Sequence, residues 1–267
     1  MGYVKFDDLE HLILDEADRM LDMGFHDDIQ KIINFLPKKR QTLMFSATMP
    51  SKIRDLARKI LIDPEEISIA ISKPAAGVVQ AACLTYDSQK TPLINSMIAD
   101  KPMMKSILVF TSTKKKVNEI VRGLRSKDYK VEGISSDLEQ NEREEVLLRF
   151  RAKQTRVLVA TDVMSRGIDI KDINFVINYD VPGDGEDYVH RIGRTARADT
   201  KGVALTLVNE DDMYKFDRIE KLIERKVQRL KLPEPLGAGP EWSLNGGGRP
   251  KFSRGNGRKK PSGRGRR

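Results

Sequence analysis

The sequence predicts an α/β protein built on a parallel sheet with helices on both faces. Short apolar segments alternate with longer segments in which apolar residues recur at helical spacing, an order typical of parallel sheets. Two apolar segments, 11–15 and 42–46, end in polar side chains, as buried strands do when they present a residue at the sheet edge. From Pro233 onward, glycine and basic residues replace apolar ones, which predicts a disordered tail.

The same patterns place the elements in order. The first predicted helix ends at Pro37, and the second begins at Ser51, whose hydroxyl suits an N-cap. Pro74 and Gly77 interrupt the pattern and predict a linker. The predicted strands are 11–15, 42–46, 67–71, 81–86, 106–110, 131–134, 156–160, 175–178 and 203–207, and the predicted helices are 29–36, 51–61, 89–99, 113–126, 139–150 and 212–225. The predicted regions are a first domain portion at 1–72, the linker at 73–80, a second domain at 81–232 and the tail at 233–267.

Composition indicates a soluble globular protein and excludes several other classes. Of the 267 residues, 39% are hydrophobic and 33% are charged. No apolar segment reaches the length of a membrane span, and the N-terminus lacks the basic-then-apolar order of a signal peptide. We therefore expect no membrane partner. Cys83 is the only cysteine, which excludes an internal disulfide, so we expect a protein of the reducing cytoplasm. The apolar neighbours of Cys83 predict a buried thiol rather than a nucleophile.

The positive charge is concentrated in the predicted tail. The chain has a formal net charge of +9. Residues 233–267 contain nine lysines or arginines and two acidic residues, Glu234 and Glu241, so this segment carries 9 − 2 = +7. Residues 1–232 carry the remaining +9 − 7 = +2. A polyanion is therefore the expected partner of the tail, and its binding would depend strongly on salt.

Three arginines recur at intervals of three residues in the segment 188–198. If this segment is helical, Arg191, Arg194 and Arg197 form one stripe, and the small residues between them leave room for a ligand. Guanidinium groups match phosphate oxygens and stay charged, and one placed on a terminal phosphate stabilises the transition state of phosphoryl transfer. The alternative is a basic helix face that makes surface ion pairs.

Two carboxylates, Asp15 and Glu16, follow the first predicted strand. One carboxylate at such a position can hold an Mg2+ that bridges nucleotide phosphates, mainly through water, because Mg2+ gives up its hydration shell reluctantly. The second can orient and deprotonate an attacking water. The alternative is a solvated acidic turn at the start of a helix, since Asp18 and Arg19 follow.

Four segments, in this order along the chain, resemble the motifs of one family. Residues 14–25 (LDEADRMLDMGF) resemble motif II of the DEAD-box RNA helicases of superfamily 2, and 45–50 (FSATMP) resemble motif III. Residues 157–170 (VLVATDVMSRGIDI) resemble motif V, and 188–198 (YVHRIGRTARA) resemble motif VI. The resemblance extends to about Lys231, and the expected subtype is a bacterial RhlE-like helicase.

The resemblance implies a RecA-like fold and an enzyme that uses ATP and Mg2+. The second helicase domain would be complete, whereas only the C-terminal part of the first would be present. The implied catalytic residues are Asp15, which holds Mg2+ mainly through water, Glu16, Arg194 and Arg197. The implied nucleotide contacts are Gly167, Asp169, Arg194 and Arg197. The residues implied to couple nucleotide state to domain closure are Asp18, Ser46, Thr48 and His190.

The resemblance also implies RNA binding through the phosphate backbone, largely without regard to sequence, by a protein expected to be a monomer. Residues 110–113 resemble motif IV, and 137–143 resemble the segment that contains Q-x-x-R. The implied RNA contacts are Thr113, Gln140, Arg143 and Thr161. Ser135-Ser136 departs from the family's more common His-Gly at this point, and the alternative for Thr113 is a plain N-cap. The basic tail would add nonspecific RNA affinity.

The chain contains no phosphate-binding loop of the form G-x-x-x-x-G-K-[ST]. Members of the family carry that loop upstream of motif II, and here only 14 residues precede Asp15. We therefore expect a truncated first domain and a chain that, by itself, does not turn over ATP. One alternative is a non-catalytic RNA-binding fragment. Another is a DNA-translocating helicase of the same superfamily, which the combination of Asp15-Glu-Ala-Asp18 with Ser46-Ala-Thr48 disfavours.

Overall fold

The computed structural model describes residues 5–68, 77–99, 101–124, 129–162, 173–195 and 202–244. Its contacts divide the chain into two compact units, Met1–Ser72 and Lys73–Arg267, which we call the first and second units. None of the helices in the described ranges is long and apolar enough to cross a membrane.

The first unit is a small αβ layer. Its elements are β1 (His11–Leu14), α1 (Ala17–Asp22), α2 (His26–Asn34), β2 (Gln41–Met44) and α3 (Ser51–Ile60). The two strands are parallel and pair from His11 with Gln41 to Leu14 with Met44. No strand residue is fully buried, and the buried apolar side chains lie on the helices and the loop after α2. The helices therefore supply the core of this unit, because a two-stranded sheet contributes little stability alone.

Two features of the first unit differ from the predicted elements. Helix α1 was not predicted, because its six residues are too few to show a helical apolar pattern. The strand predicted at 67–71 is wrong for Ile67 and Ser68, which have no regular structure and expose the isoleucine. The remainder of that predicted strand lies outside the described residues.

The described residues of the second unit form a seven-stranded sheet in which every paired strand is parallel. The strand order is β5-β6-β4-β7-β8-β3-β9. The elements are β3 (Val78–Leu84), α4 (Asp87–Ala99), β4 (Ile107–Phe110), α5 (Lys114–Leu124), β5 (Val131–Ile134), α6 (Gln140–Arg151), β6 (Val157–Ala160), β7 (Phe175–Asn178), α7 (Gly185–Ile192), β8 (Gly202–Val208), α8 (Met213–Leu222) and β9 (Gln228–Leu230), with short 3-10 turns at Glu210–Asp212 and Glu234–Leu236.

Helices cover both faces of this sheet. Successive strand residues point to opposite faces, so each central strand divides its side chains between two cores. Ile107 and Val109 of β4 pack in one cluster with α4 and α5, whereas Leu108 and Phe110 pack in another with α6. A third cluster joins α7 and α8 to Ala204 and other residues of β8 and β3. The parallel α/β sheet with helices on both faces is therefore confirmed.

Strand β3 begins earlier than predicted. The linker predicted at 73–80 is wrong for residues 78–80, which pair in register with Gly202–Ala204 of β8. Val78 and Gln80 are buried, while Val79 between them is 49% exposed, as expected when one face at this end of the sheet is open. Gln80 is polar, so the apolar pattern did not mark it as part of a buried strand. Its burial is possible because its Oε1 accepts a hydrogen bond from the hydroxyl of Tyr188 at 2.9 Å.

The prediction of a disordered tail from Pro233 is wrong for residues 233–244, which we call the strap. The side chain of Gln89 in α4 donates hydrogen bonds to the carbonyls of Leu236 and Ala238 at 2.9 and 3.0 Å. Trp242 packs on the third cluster, and the guanidinium of Arg229 stacks over its ring at 4.5 Å. The hydrogen bonds from Gln89 and the packing of Trp242 hold the strap, because each group of the strap meets a matching site on the folded domain. Residues 245–267 lie outside the described residues.

Candidate functional site

The two candidate catalytic carboxylates lie at the carboxyl end of β1. Asp15 is exposed, and its Oδ1 accepts a hydrogen bond from the backbone N of Glu16 at 2.9 Å. Glu16 is half-buried and has a left-handed backbone, with φ 49° and ψ 46°. A non-glycine residue rarely adopts this conformation, and such residues cluster at functional sites. The backbone N of Ala17 donates to the carbonyl of Phe45 at 3.0 Å, which ties the turn to the end of β2.

Asp18 joins this turn to the segment after β2. Its Oδ2 accepts hydrogen bonds from the backbone N and the Oγ1 of Thr48, at 3.0 and 2.9 Å. The Oγ of Ser46 accepts from the backbone N of Asp18 at 3.2 Å and donates to the carbonyl of Thr48 at 2.7 Å. Burial would raise the pKa of Asp18, but the hydrogen bonds from Thr48 and the backbone of Arg19 outweigh it and hold the pKa below its usual value. The carboxylate is therefore charged and held in one position.

The carboxylates of the first unit suit a cation held largely through water. The second oxygen of Asp15 has no hydrogen-bond partner among the described residues, and the side chain is exposed to solvent. The described ranges contain no group of three or more histidine, cysteine or acidic side chains that could enclose a metal ion. A single exposed carboxylate is consistent with Mg2+, which usually keeps several waters and binds through one or two carboxylates together with phosphate.

The carboxyl ends of four neighbouring strands lie in register at one edge of the second unit's sheet. Phe110 of β4 pairs with Ala160 of β6 and with Asn178 of β7, and Ile134 of β5 also pairs with Ala160. Neighbouring strands are about 4.8 Å apart, so the residues that follow these four ends share an edge about 15 Å wide. Ligands of open parallel sheets bind beyond this edge.

Two candidate RNA contacts follow directly from these strand ends. Thr161 is the residue after β6 and is half-buried. Thr113 is exposed immediately before α5, and its Oγ1 accepts a hydrogen bond from the backbone N of Lys116 at 3.3 Å. Thr113 therefore caps the helix, and the N-terminus of a helix is a position that favours an anion.

The other two candidate RNA contacts lie on the helix that follows β5. Gln140 and Arg143 are three residues apart in the first turn of α6, so they are neighbours on its surface. Gln140 donates a hydrogen bond to Glu144 at 2.8 Å. The Nζ of Lys114 contacts Asp137 at 2.7 Å, which connects the start of α5 to the loop before α6. The structure thus places all four candidates beside the ends of β4, β5 and β6.

Among the described residues, Arg191 and Arg194 do not share the predicted stripe. Helix α7 ends at Ile192, so Arg194 lies in the turn beyond it rather than one helical turn further along the same face. Arg191 is only 4% exposed and faces the sheet, where its Nε and Nη2 each donate to a carboxylate oxygen of Asp162 at 2.6 Å. The stripe is wrong for Arg191, because the helix turns this residue inward. Arg194 is half-buried, and His190 is exposed on α7.

A buried carboxylate that the sequence did not single out organises the same edge. Asp180 follows β7, and its Oδ2 accepts from the Oγ1 of Thr111 and from the N and Oγ of Ser112, at 2.8, 2.8 and 2.9 Å. Its Oδ1 contacts the Nζ of Lys116 at 2.7 Å and that of the fully buried Lys90 at 3.7 Å. Burial would raise the pKa of Asp180, but Lys116 and the Ser112 and Thr111 donors lower it well below its usual range. Its place two residues after a strand is the only signal that the sequence offered.

Three predicted site residues lie outside the described residues. They are Gly167, Asp169 and Arg197. Their proposed contacts with nucleotide therefore stay predictions. The described part of motif V is limited to its strand, Thr161 and Asp162.

Sequences in both units of the chain match families of known proteins. Residues 2–56 match the DEAD/DEAH box helicase family, and residues 89–199 match the helicase conserved C-terminal domain. The DEAD-box ATP-dependent RNA helicase CshA of Geobacillus kaustophilus is 39% identical over 87% of this chain. The match covers 50% of that relative, so the chain spans about half the length of the curated relatives it matches. The RhlE-like subtype stays a prediction.

Solved structures agree in fold and sequence. S. cerevisiae Dbp5 bound to RNA and ADP BeF3 superposes with a TM-score of 0.76 at 30% identity, over 85% of this chain and 61% of that one. E. coli DEAD-box protein SrmB bound to regulator of ribonuclease activity A has a TM-score of 0.55 at 31% identity, over 61% of this chain and 98% of that one. The motifs, the parallel sheet and these relatives lead to one assignment: the chain belongs to the DEAD-box RNA helicase family.

Proposed function

We propose that the protein remodels or locally unwinds RNA with the energy of ATP binding and hydrolysis. The observation that carries this proposal is the arrangement at the carboxyl edge of the second unit, where Thr113, Thr161, Gln140 and Arg143 surround three adjacent strand ends. Hydroxyl groups, an amide and a guanidinium at one edge suit a chain of phosphates. In this proposal, 81–232 is the helicase C-terminal domain and 1–72 is part of the ATP-binding domain.

The proposed grip on RNA does not read the base sequence. Contacts to phosphate and sugar position a strand without identifying it. The nine lysines and arginines between Arg249 and Arg267 add affinity that weakens as salt rises. We expect the protein to act in the cytoplasm as a monomer whose partner is RNA.

The proposed nucleotide chemistry uses groups from both units. Asp15 would hold Mg2+ mainly through water, and Glu16 would orient and deprotonate the attacking water. The proposed contacts to the phosphates and ribose of the nucleotide are Gly167, Asp169, Arg194 and Arg197. The hydrogen bonds between Asp18 and Thr48 support a role in coupling, and the proposed coupling set is Asp18, Ser46, Thr48 and His190.

The RNA-binding part of this proposal can be tested on the 267-residue chain. We expect fluorescence anisotropy to give similar dissociation constants for single-stranded RNAs of different sequence. Arg143→Ala and Thr161→Val should each weaken binding, by about tenfold if each removes one hydrogen bond to a charged phosphate. Leu148→Ala, an exposed position on the outer part of α6, is the matched control and should bind normally. Strong preference for one RNA sequence, or normal binding by both site variants, would contradict the proposal.

A second candidate function is RNA binding without ATP turnover by these 267 residues alone. The observation that favours it is the lack of a G-x-x-x-x-G-K-[ST] segment in the sequence, because that loop supplies the amides and the lysine that cradle the β- and γ-phosphates. We expect phosphate release by the purified chain to stay at background with and without RNA. RNA-stimulated phosphate release that Glu16→Gln abolishes would refute this second candidate and support turnover by the chain itself.

A further inference from the structure

Arg191 is a buried cation whose hydrogen-bonding capacity is almost fully used. Its guanidinium makes four hydrogen bonds, two to the carboxylate of Asp162, one to the Oδ1 of Asn178 and one to the carbonyl of Asp180. A guanidinium has five N–H donors, so little remains for a ligand. The group also lies 5.1 Å from the ring centre of Phe110. A phosphate could reach Arg191 only by displacing these partners.

The partners of Arg191 lie on three adjacent strand ends. Asp162 is two residues beyond β6, Asn178 ends β7, and Phe110 ends β4. Thr161, one of the proposed RNA contacts, immediately precedes Asp162 in the chain. The salt bridge between Arg191 and Asp162 therefore lies beside the proposed RNA site. A bidentate pair fixes both the position and the orientation of the carboxylate it binds. The backbone of Thr161 is thereby held between β6 and its salt-bridged neighbour.

We infer that Arg191 is a positioning residue for RNA binding, which acts through Asp162 to aim the hydroxyl of Thr161 at a phosphate. This inference rests on the proposed function, and it assigns to Arg191 a role other than contact with nucleotide phosphate. Lysine cannot replace it, since a single ammonium group lacks the planar fork that binds both oxygens of Asp162. The arginine thus links helix α7 to the residue that touches RNA.

A double-mutant cycle on the 267-residue chain tests the inference. Dissociation constants for a short oligo(U) RNA are measured by anisotropy for the unmodified chain, Thr161→Val, Arg191→Lys and the double variant. Thr161→Val and Arg191→Lys should each weaken binding about tenfold, because each removes the same hydrogen bond to a charged group. The double variant should bind within about twofold of Arg191→Lys alone, since Thr161 no longer points at the phosphate.

A matched control separates positioning from general stability. Arg229 forms another arginine–carboxylate pair, with both oxygens of the buried Glu220 at 2.9 and 3.0 Å, away from the strand ends that carry Thr161. Arg229→Lys should leave RNA binding unchanged, so a variant that combines it with Thr161→Val should bind as Thr161→Val does alone. Thermal unfolding of each variant confirms that the domain is folded at the assay temperature. Asp162→Asn also removes the salt bridge with Arg191. Adding Thr161→Val to Asp162→Asn should therefore weaken RNA binding no further.

The outcomes are distinct. Independent costs that multiply to about a hundredfold in the Thr161→Val/Arg191→Lys variant would overturn the inference, because they would show that Arg191 does not act through Thr161. Normal binding by folded Arg191→Lys and Asp162→Asn would overturn it as well. If the unmodified chain fails to bind RNA, the proposed function fails and the inference falls with it. If Thr161→Val alone has no effect, only the route through Thr161 is refuted, and the remaining RNA contacts stand.

Discussion

At the residue scale, Thr48 shows how one hydroxyl holds a charged group in place. Its Oγ1 donates to Asp18 at 2.9 Å, and Asp18 is 4% exposed. We expect Thr48→Ala to destabilise the first unit by about 1–3 kcal/mol, the cost of leaving a buried acceptor short of a donor. Hydrogen exchange of the first unit's amides measures this loss. Thr48→Ser keeps the hydroxyl and is the matched control, so equal protection in the two variants would contradict the prediction.

The lowered pKa of Asp180 predicts how the stability of the second unit changes in acid. Its folded-state pKa is lowered, so its stabilising contribution is complete above the ordinary value of 3.8 and is lost as the pH falls below that value through the folded pKa. The second unit should therefore lose stability steeply below about pH 4. In Asp180→Asn this loss should be smaller, while stability at neutral pH should fall by about 3 kcal/mol because Lys116 loses its counter-charge and the buried Lys90 keeps only Asp87. Urea unfolding across this pH range is the measurement.

An exposed carboxylate provides the control for that experiment. Asp211 lies in the same unit and is exposed, so Asp211→Asn should leave the acid dependence as it is in the unmodified chain. Parallel stability curves for Asp180→Asn and the unmodified chain would show that Asp180 is not the group responsible.

Residues that resemble family motifs could be predicted, whereas the groups that support them could not. Asp18 and Thr48 were expected to meet because both lie in recognisable motifs, and the structure places them in contact. Asp180 and the Asp162–Arg191 pair depend on the pairing order of β4, β6 and β7, which brings together residues up to 69 positions apart. No local pattern encodes that order. The sequence alone therefore placed Arg191 in one stripe with Arg194 and Arg197 rather than against Asp162.

At the scale of elements, the strap gives a prediction with a direct optical readout. A Cβ atom at Gly239 would lie 2.1 Å from the carbonyl oxygen of Leu84, which is backbone and has no freedom to move aside. We expect Gly239→Ala to lift the strap and to destabilise the second unit by about 1–2 kcal/mol. Trp242 is the only tryptophan, so its fluorescence emission should shift to longer wavelength as the ring leaves Arg229.

The neighbouring residue provides a control for the strap. Ala238 is exposed and contributes its carbonyl to Gln89, so Ala238→Ser should keep both the emission spectrum and the stability. An unshifted spectrum in Gly239→Ala would mean that the strap does not require the close approach to Leu84.

The elements that escaped prediction share a physical cause. The central strands were predictable because both of their faces are buried, which produces continuous apolar runs such as Ile107–Phe110. Strand β9 has only three residues, Gln228–Leu230, and lies at the sheet edge, so it shows no such run. The strap was missed because Trp242 and Leu236 are isolated apolar residues among glycine and proline, and only the folded surface shows where they fit.

At the scale of the whole molecule, the distribution of charge predicts how RNA affinity responds to salt. All nine lysines and arginines of the predicted tail fall within 245–267, so removing this segment changes the net charge from +9 to +9 − 9 = 0. We expect its deletion to weaken RNA binding and to reduce the slope of log affinity against log salt by up to about 6, at about 0.7 per phosphate contact on a single strand. Anisotropy titrations at several salt concentrations measure the slope.

Deleting only 245–267 keeps the strap, which a cut at Pro233 would remove. The control retains the full length and replaces the nine cations by glutamine, so that any effect of chain length is matched. Both variants should show the same reduced slope. A slope that survives either change would place the salt dependence in the folded units.

The strap also fixes the point at which the basic segment, residues 245–267, is joined to the folded domain. It follows β9, passes the last carbonyl of β3 at Leu84, and ends near Met213, where the Ser243 N–H points at the sulfur at 3.2 Å. Both landmarks mark the side on which the parallel strands finish. The basic segment is consequently joined to the folded domain on the same side of the sheet as the proposed RNA contacts. Twelve residues with almost no regular structure thereby determine the anchor point of the cationic terminus.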